Sequence, residues 1–191
     1  VSEVVLCTGY LGEQIEEYCG DGSRWGLSVR YSREPQALGT AGAIRHAMRQ
    51  SVTDPFWVLN GDSFVTARLP EIDALHARRG SLATLVVVGV PDASRYGAVV
   101  LDPEGAVLKF GEKATAGPGY VNAGVYLLSA AVLDGVEPGR MVSLEQDVLP
   151  RMAGNGAYAW ISPGPFIDIG TEESFHQAQQ LMAEWPGGVG E

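Results

Sequence analysis

The sequence lacks any long apolar run. No stretch reaches the roughly 20 consecutive apolar residues that a membrane-spanning helix needs, and the chain does not open on a basic segment followed by an apolar one. We therefore expect no membrane partner.

Cysteine is also scarce. Cys7 and Cys19 are the two cysteines among 191 residues, one in a predicted strand and one in a predicted helix, and their spacing is not typical of a zinc site. We expect two reduced, structural thiols and a reducing, cytoplasmic location.

Basic residues are few as well. The chain has 13 Lys and Arg against 23 Asp and Glu, for a formal net charge of -10. No stripe of positive charge is available to neutralise a phosphate backbone, so a nucleic-acid polymer is not an expected partner. A small phosphorylated substrate remains compatible, since one cation and one or two lysines can hold it.

The composition is otherwise that of a folded, turn-rich protein, with 46% hydrophobic residues, 25 Gly and 11 Pro, and the length fits a single domain over residues 1–191. In the first half, predicted strands alternate with predicted helices, such as the one near Leu69 to Arg79. Such alternation is typical of a parallel sheet between two helical layers, with ligands bound at the strand C-termini. The run from Val4 to Gly9 predicts a fully buried strand.

The second half is richer in strands. Two apolar runs flank the turn at residues 102–105 and predict a β-hairpin, and a longer strand follows from Tyr120 to Leu128. The spacing of Ser143 and Gln146 predicts a capping box at a helix start. A last helix is expected from about Thr171 to Ala183.

Two strand ends carry carboxylates. The apolar run at residues 57–59 stops in a glycine turn followed by Asp62, and a second run delivers Asp168 just before a helix start. Two carboxylates from two strand ends could hold one divalent cation on a polyphosphate. Each also has a simpler explanation, an Asx turn for Asp62 and a helix cap or turn acceptor for Asp168.

Other candidates are weaker when taken singly. Backbone N–H groups at Gly39 and Thr40 could face a ligand, although a plain helix cap with tight helix packing is the commoner explanation. Lys113 suits a phosphate and the neighbouring Glu112 can accept hydrogen bonds from hydroxyls, but surface charge pairs are ordinary. Asn122 opens an apolar strand, where a structural hydrogen bond is the commoner explanation.

The joint pattern is more specific than its parts. The sequence contains, in order, Leu-Gly-Thr-Ala-Gly-Ala, Leu-Asn-Gly-Asp, Tyr-Gly, Phe-x-Glu-Lys, Val-Asn-Ala-Gly-Val-Tyr-Leu-Leu and Phe-Ile-Asp-Ile-Gly-Thr. This series resembles the sugar-1-phosphate nucleotidyltransferase family from Val4 to about Met182. Within that family it is most similar to guanylyltransferases that act on heptose or mannose 1-phosphates.

The resemblance implies a fold and a separate role for each part of the domain. The fold would be a Rossmann-like three-layer α/β/α nucleotidyltransferase domain with a mostly parallel central sheet. Residues 1–90 would form the nucleotide side, residues 91–170 a β-rich sugar-binding lobe, and residues 171–185 a C-terminal helix. The partners would be a nucleoside triphosphate and a sugar 1-phosphate, with a second copy of the chain as a further candidate.

The resemblance also implies roles for individual residues. Gly39 and Glu34 would contact the nucleotide base, with Thr40 beside them. Asp62 and Asp168 would hold Mg²⁺ between the two phosphates. The sugar side would be formed by Gly97, which lets the sugar approach the backbone, Glu112 and Asn122, which bind its hydroxyls, and Lys113, which holds its phosphate.

One family element is not found. Family members open with a strand and a Gly-rich loop that carries basic residues for the triphosphate, whereas this sequence starts at Val1 and enters a strand almost at once. We expect the chain to begin within the domain. Two hypotheses follow: an enzyme that transfers a nucleotidyl group, most simply GMP from GTP, or a catalytically impaired sugar-nucleotide-binding or interaction domain. A dinucleotide-binding domain is disfavoured because no Gly-x-Gly-x-x-Gly follows a strand.

Overall fold

The structure is a computed structural model that describes residues 1–50, 53–94, 96–111 and 117–185. Within these ranges the chain forms ten strands and five α-helices. The strands are β1 (Glu3–Thr8), β2 (Ser28–Arg33), β3 (Phe56–Leu59), β4 (Ser63–Val65), β5 (Ala83–Val90), β6 (Ala98–Leu101), β7 (Val107–Phe110), β8 (Gly119–Leu128), β9 (Ala157–Ser162) and β10 (Phe166–Asp168). The helices are α1 (Gly12–Cys19), α2 (Gly39–Ala47), α3 (Leu69–Arg79), α4 (Leu149–Met152) and α5 (Glu172–Ala183).

The chain divides into two compact units. Unit 1 comprises Val1–Asp54 and Ala130–Arg151, and unit 2 comprises Pro55–Ser129 and Met152–Glu191. Each unit is therefore discontinuous in sequence. The assignment of residues 1–191 to a single domain stays a prediction.

In unit 1, β1 and β2 form a parallel pair in register from Glu3 opposite Ser28 to Thr8 opposite Arg33. The prediction of a fully buried first strand is wrong. Val4, Val5 and Leu6 are half-buried and Cys7 is exposed. The physical reason is that β1 lies in a two-stranded sheet, in which β2 covers one of its edges.

Unit 2 is built on a six-stranded sheet in the order β7-β6-β8-β5-β9, with β3 also paired to β8. The α/β class is confirmed, but the sheet is mixed and not mostly parallel. The long strand β8 runs antiparallel to β3, β5 and β6, and β6 runs antiparallel to β7. The ladder between β5 and β9 is the parallel one among the described strands of this sheet. The predicted hairpin is confirmed as β6 and β7.

A separate two-stranded sheet in unit 2 pairs β4 with β10 in antiparallel fashion. A buried cluster centred on Ile72, Val86 and Leu127 forms one side of the core, and Val65 of β4 and Phe166 of β10 pack against it. A strand pair this short has little stability of its own, so these two side chains fix it to the core.

The helix ends show why the segments fold as they do. The bounds of α3 agree with the predicted ones: Pro70 lies in its first turn, where its missing N–H is not needed, and Gly80 ends it in a left-handed conformation. Thr171 caps α5 with a reciprocal Ser174 capping box. None of the helices in the described residues combines the length and apolar character that crossing a bilayer requires.

The predicted capping box at Ser143 is half present. Its side chain accepts the Gln146 N–H at 3.1 Å, but its own N–H donates to Asp147 Oδ2 at 2.8 Å and not to Gln146. The turn that follows, Leu144–Val148, is π-helical. π-helical turns are rare and frequently lie at functional sites.

Candidate active site

The structure brings Asp62 and Asp168 together in unit 2. Asp168 is the last residue of β10 and lies opposite Ser63, the first residue of β4. Asp62 immediately precedes Ser63, and its carbonyl oxygen accepts the Ile169 N–H at 2.8 Å. Two carboxylates that are more than 100 residues apart in sequence therefore lie on adjacent backbone positions.

The ladder by itself does not align the two side chains. Successive residues of a regular strand point to opposite faces, so Asp168 shares a face with Ser63, and Asp62 would take the other face if β4 extended to it. Asp62 instead lies in the turn between β3 and β4, outside the strand. Its side chain is exposed, whereas Asp168 is half-buried.

Each carboxylate keeps coordinating capacity. Oδ1 of Asp62 accepts the Ser63 hydroxyl at 3.2 Å, and Oδ1 of Asp168 accepts the Gly170 N–H at 3.0 Å. In the described part of the chain no hydrogen bond reaches the second oxygen of either group.

These donors fit Mg²⁺. In proteins this ion is commonly held by one or two carboxylates together with substrate phosphates and water, rather than by a complete cage of side chains. Over residues 1–50, 53–94, 96–111 and 117–185, no group of three or more His, Cys, Asp or Glu is arranged to hold a metal. Two carboxylates are a donor set that suits Mg²⁺ where substrate phosphates complete its coordination.

A bulge in β8 orients Asn122. The register with β5 shifts between Leu85 and Val87, which lie opposite Tyr126 and Asn122. Within the bulge, the Gly124 N–H donates to Asn122 Oδ1 at 3.2 Å, and Asn122 Nδ2 donates to the hydroxyl of the fully buried Tyr126 at 2.7 Å. Both ends of the Asn122 amide are held, so its orientation is fixed.

The same bulge supports the turn that carries Asp62. Gly124 has a left-handed φ of +74°, and its carbonyl oxygen accepts the Asn60 N–H at 2.8 Å. A Cβ at position 124 would lie 2.9 Å from Asn60 Nδ2. Glycine at position 124 thus lets the 60–62 turn lie close to the bulge, and a Cβ there would displace Asn60.

Gly97 lies in a loop that reaches β10. Its neighbour Tyr96 packs its ring edge-on against Phe166, with ring centroids 5.8 Å apart. A Cβ on the exposed Gly97 would lie 3.1 Å from the Gly111 carbonyl oxygen. The structure therefore brings the Tyr96-Gly97 loop to the strand that ends in Asp168. Glu112 and Lys113 lie outside the described residues.

Hydrogen bonds that join Asp92 and Ala93 to Gly117 hold the start of the loop before Gly97, and we call this arrangement the Asp92 clamp. Oδ1 of the exposed Asp92 accepts the N–H of Ser94 at 2.9 Å and of Gly117 at 3.4 Å, and the Ala93 N–H donates to the Gly117 carbonyl at 2.9 Å. The Ser94 bonds, followed by the Gly117 N–H, lower the pKa of Asp92 because they favour its charged form.

Glu34, Gly39 and Thr40 lie together in unit 1, at the start of α2. The Glu34 carboxylate accepts the Leu38 N–H at 2.9 Å, which shapes the loop. Gly39 has a φ of +67°, and a Cβ there would lie 2.6 Å from the Val142 carbonyl oxygen. The Thr40 hydroxyl hydrogen-bonds to Glu145 and to the Leu144 N–H within the unit. The structure shows a packing role for these residues and leaves their contact with a nucleotide as a prediction.

The sequence analysis missed several residues that shape these regions: Asn60, Asp92, Gly124, Tyr126 and Glu145. A glycine inside an apolar strand indicates a bulge, so Gly124 carried a usable signal. The bonds between Asp92 and Gly117 and between Thr40 and Glu145 gave no signal, because each joins segments distant in sequence.

Ligands of α/β folds commonly bind at strand ends, and the structure places the two carboxylates at neighbouring strand ends. The chain belongs to the Nucleotidyl transferase family, whose sequence profile matches residues 1–184. This confirms the prediction of a sugar-1-phosphate nucleotidyltransferase family member.

Similar proteins include guanylyltransferases of the kind that the sequence analysis expected. The chain is 37% identical to a rice (Oryza sativa subsp. japonica) protein named "Probable mannose-1-phosphate guanylyltransferase 1", over 96% of this chain and 53% of the rice protein. It is 33% identical to the D-glycero-alpha-D-manno-heptose 1-phosphate guanylyltransferase of Aneurinibacillus thermoaerophilus, over 97% of this chain and 80% of that protein. The crystal structure of HddC from Yersinia pseudotuberculosis superposes with a TM-score of 0.83 at 28% identity, over 94% of this chain and 78% of that one.

The coverage of these relatives differs. The chain spans about half the length of the rice protein, 53%, and four fifths of the bacterial one, 80%.

Replacing Gly124 by Ala should destabilise the protein more than the same replacement at a glycine that also has a left-handed backbone but has free space around it. A left-handed Ala costs about 1–2 kcal/mol, and crowding of Asn60 should add about 1–3 kcal/mol. Gly135 is the matched control, because its φ is +85° and a Cβ there meets nothing within 4 Å. Urea unfolding of Gly124→Ala and Gly135→Ala measures the difference. Equal losses would show that the Asn60 contact does not matter.

Stability at acid pH should depend on Asp92. Its pKa is lower in the folded protein than in the unfolded chain, so its contribution is complete above the unfolded pKa, near pH 4, and is lost as the pH falls through the folded value. Thermal melts between about pH 2.5 and 6 should show a shallower acid-induced fall for Asp92→Ala than for the wild type. Asp73→Ala, at an exposed position of α3, is the control and should follow the wild type. Parallel curves for Asp92→Ala and wild type would contradict the clamp.

Proposed function

We propose that this protein transfers GMP from GTP to a sugar 1-phosphate, either mannose 1-phosphate or D-glycero-D-manno-heptose 1-phosphate, and releases pyrophosphate. The observation that carries the proposal is the β4–β10 pairing, which sets Asp62 beside Asp168, in a chain of the Nucleotidyl transferase family. Because the chain covers only part of its relatives, the activity is proposed for the whole protein to which it belongs.

The reaction is a substitution at phosphorus. A phosphate oxygen of the sugar 1-phosphate attacks the α-phosphorus of GTP in line, the bond from that phosphorus to the bridging oxygen breaks, and pyrophosphate leaves. Both reactants are anions and repel each other unless positive charge lies between them. Catalysis then consists of positioning and charge neutralisation and needs no covalent intermediate on the protein.

Asp62 and Asp168 would hold Mg²⁺, which supplies Lewis-acid polarisation of the phosphate oxygens and a template for the two reactants when bound. The second oxygens of the carboxylates provide this capacity, and Ser63 and Gly170 steady the first ones. Lys113 would pair with the phosphate of the sugar.

The sugar would be recognised by polar groups near the bulge and the hairpin. Asn122 has one amide hydrogen and one oxygen lone pair left after its bonds to Tyr126 and Gly124, so it can both donate to and accept from sugar hydroxyls. Glu112 would accept from hydroxyls, and Gly97 would allow the sugar to approach the backbone.

The nucleotide base would contact Gly39 and Glu34. Two facts about similar proteins favour guanine: the rice and Aneurinibacillus relatives are named as guanylyltransferases, and the Yersinia protein has also been crystallised in complex with GMP-PN.

A substrate screen tests the proposal. The full-length protein should release pyrophosphate fastest with GTP and either mannose 1-phosphate or the heptose 1-phosphate, and at least about tenfold more slowly with ATP, CTP or UTP, the difference that about 1.4 kcal/mol of transition-state binding produces. Pyrophosphate is measured with a coupled assay. Binding of a GDP-sugar without turnover of any pair would instead support the alternative of an impaired sugar-nucleotide-binding domain.

Asp62→Asn and Asp168→Asn should each lower Mg²⁺-dependent turnover by at least about 100-fold, because an amide of the same size no longer supplies the negative charge for the cation. The fold should persist, since each Asn retains an oxygen that can accept the local hydrogen bond. The rise in melting temperature that Mg²⁺ and GTP give together should also be lost.

The control for this pair is Asp73→Asn, an exposed position on α3, which should retain wild-type turnover. Near-normal turnover of either site variant would reject the metal assignment.

A further inference from the structure

We infer that Glu145 is a positioning residue for the nucleotide base. It acts through Thr40 on the turn that begins α2. This inference rests on the proposed function, in which that turn contacts the base, and it concerns residues of unit 1 alone.

Thr40 links the two segments by a pair of short hydrogen bonds. Its hydroxyl donates to Glu145 Oε2 at 2.7 Å and accepts the Leu144 N–H at 2.7 Å. Both hydrogen-bonding roles of the hydroxyl are thereby used within the protein. The Thr40 side chain therefore joins the first turn of α2 to residues 144 and 145.

The Glu145 carboxylate is itself held in place by a second hydrogen bond. The same Oε2 that accepts from Thr40 also accepts the Ser143 hydroxyl at 3.2 Å. Ser143 itself caps the π-helical turn through the Gln146 N–H at 3.1 Å. The carboxylate thus joins the first turn of α2 to the first residues of the π-helical turn, across a separation of 105 residues in sequence.

Backbone hydrogen bonds also join residues 38–42 to residue 142. The Val142 carbonyl accepts the N–H of Ala41 at 3.0 Å and of Gly42 at 3.2 Å, and the Val142 N–H donates to the Leu38 carbonyl at 2.8 Å. The close approach of Gly39 to the Val142 carbonyl completes the contact. The conformation of residues 38–40 therefore depends on where residues 142–145 lie.

The charge of Glu145 indicates which part of a nucleotide this turn receives. The N-terminus of a helix favours anions, but here the protein's own carboxylate already lies beside the first turn of α2. A phosphate placed against that turn would meet a negative charge at short range. The turn is suited to the uncharged base, and the triphosphate belongs elsewhere.

Three substitutions separate positioning from general stability in the full-length protein. Thr40→Val removes the hydroxyl and keeps the shape, and Glu145→Ala removes the acceptor. Both should raise the KM for GTP about tenfold, change kcat less than about twofold, and leave the KM for the sugar 1-phosphate unchanged. The reason is that each substitution removes the hydrogen bond between Thr40 and the charged Glu145, which holds only the turn that contacts the base. Glu145→Gln keeps an oxygen that accepts from Thr40, so its KM for GTP should stay within about twofold of wild type.

Glu137→Ala is the matched control in the same unit, since its carboxylate is exposed and, within the described residues, forms a long ion pair of 3.8 Å with Arg140. Its kinetics should equal those of the wild type. Melting temperatures of all four variants show whether any of them unfolds.

The results separate the possible explanations. A selective rise in the KM for GTP in Thr40→Val and Glu145→Ala, with rescue in Glu145→Gln, supports the inference. Equal rises for both substrates together with a lower melting temperature, or no change at all, overturns it while the proposed function stands. A wild-type protein that turns over no nucleoside triphosphate overturns the proposed function and this inference with it.

Discussion

The candidate site depends on one interaction, the antiparallel pairing of β4 with β10. Three residues on each strand form this ladder, and a pair of that length is not stable alone in water. It persists because Val65 and Phe166 pack against the core of unit 2, and because the ring of Trp185 packs edge-on against Phe64 of β4, with centroids 5.1 Å apart. A carboxylate site is thus built on a structure that hydrophobic contacts maintain.

Local sequence patterns predicted the elements that local physics determines. Residues 69–79, 98–110 and 119–128 form the predicted helix, hairpin and long strand, because their periodicity, turn residues and caps agree with one another. Strand direction is not a local property, so the mixed sheet was not predicted. The three-residue strand β4 was missed for a related reason: its pairing partner lies about 100 residues later in the chain, and a run so short has no period to detect.

The candidate site divides in the same way. Asp62 and Asp168 were predictable because each follows an apolar run that ends in a turn, which is a pattern visible in sequence. The orientation of Asn122 was not, since it depends on a bulge whose position is set by the register of β8 against β5. The glycine at 124 indicated a bulge, but only the structure shows that this bulge also supports the turn carrying Asp62.

Charge balance explains why two acidic ligands suit the proposed reaction. The protein carries a net charge of -10, and distant charges are screened beyond about 8 Å at physiological ionic strength, so an anionic substrate responds mainly to the groups beside it. Two carboxylates and one divalent cation sum to zero, whereas a third carboxylate would leave the cluster negative and repel phosphates. Without the cation, Asp62 and Asp168 themselves repel a triphosphate. In the proposed reaction, binding of the cation and of the nucleotide at this site would therefore be coupled, each strengthening the other by the same factor.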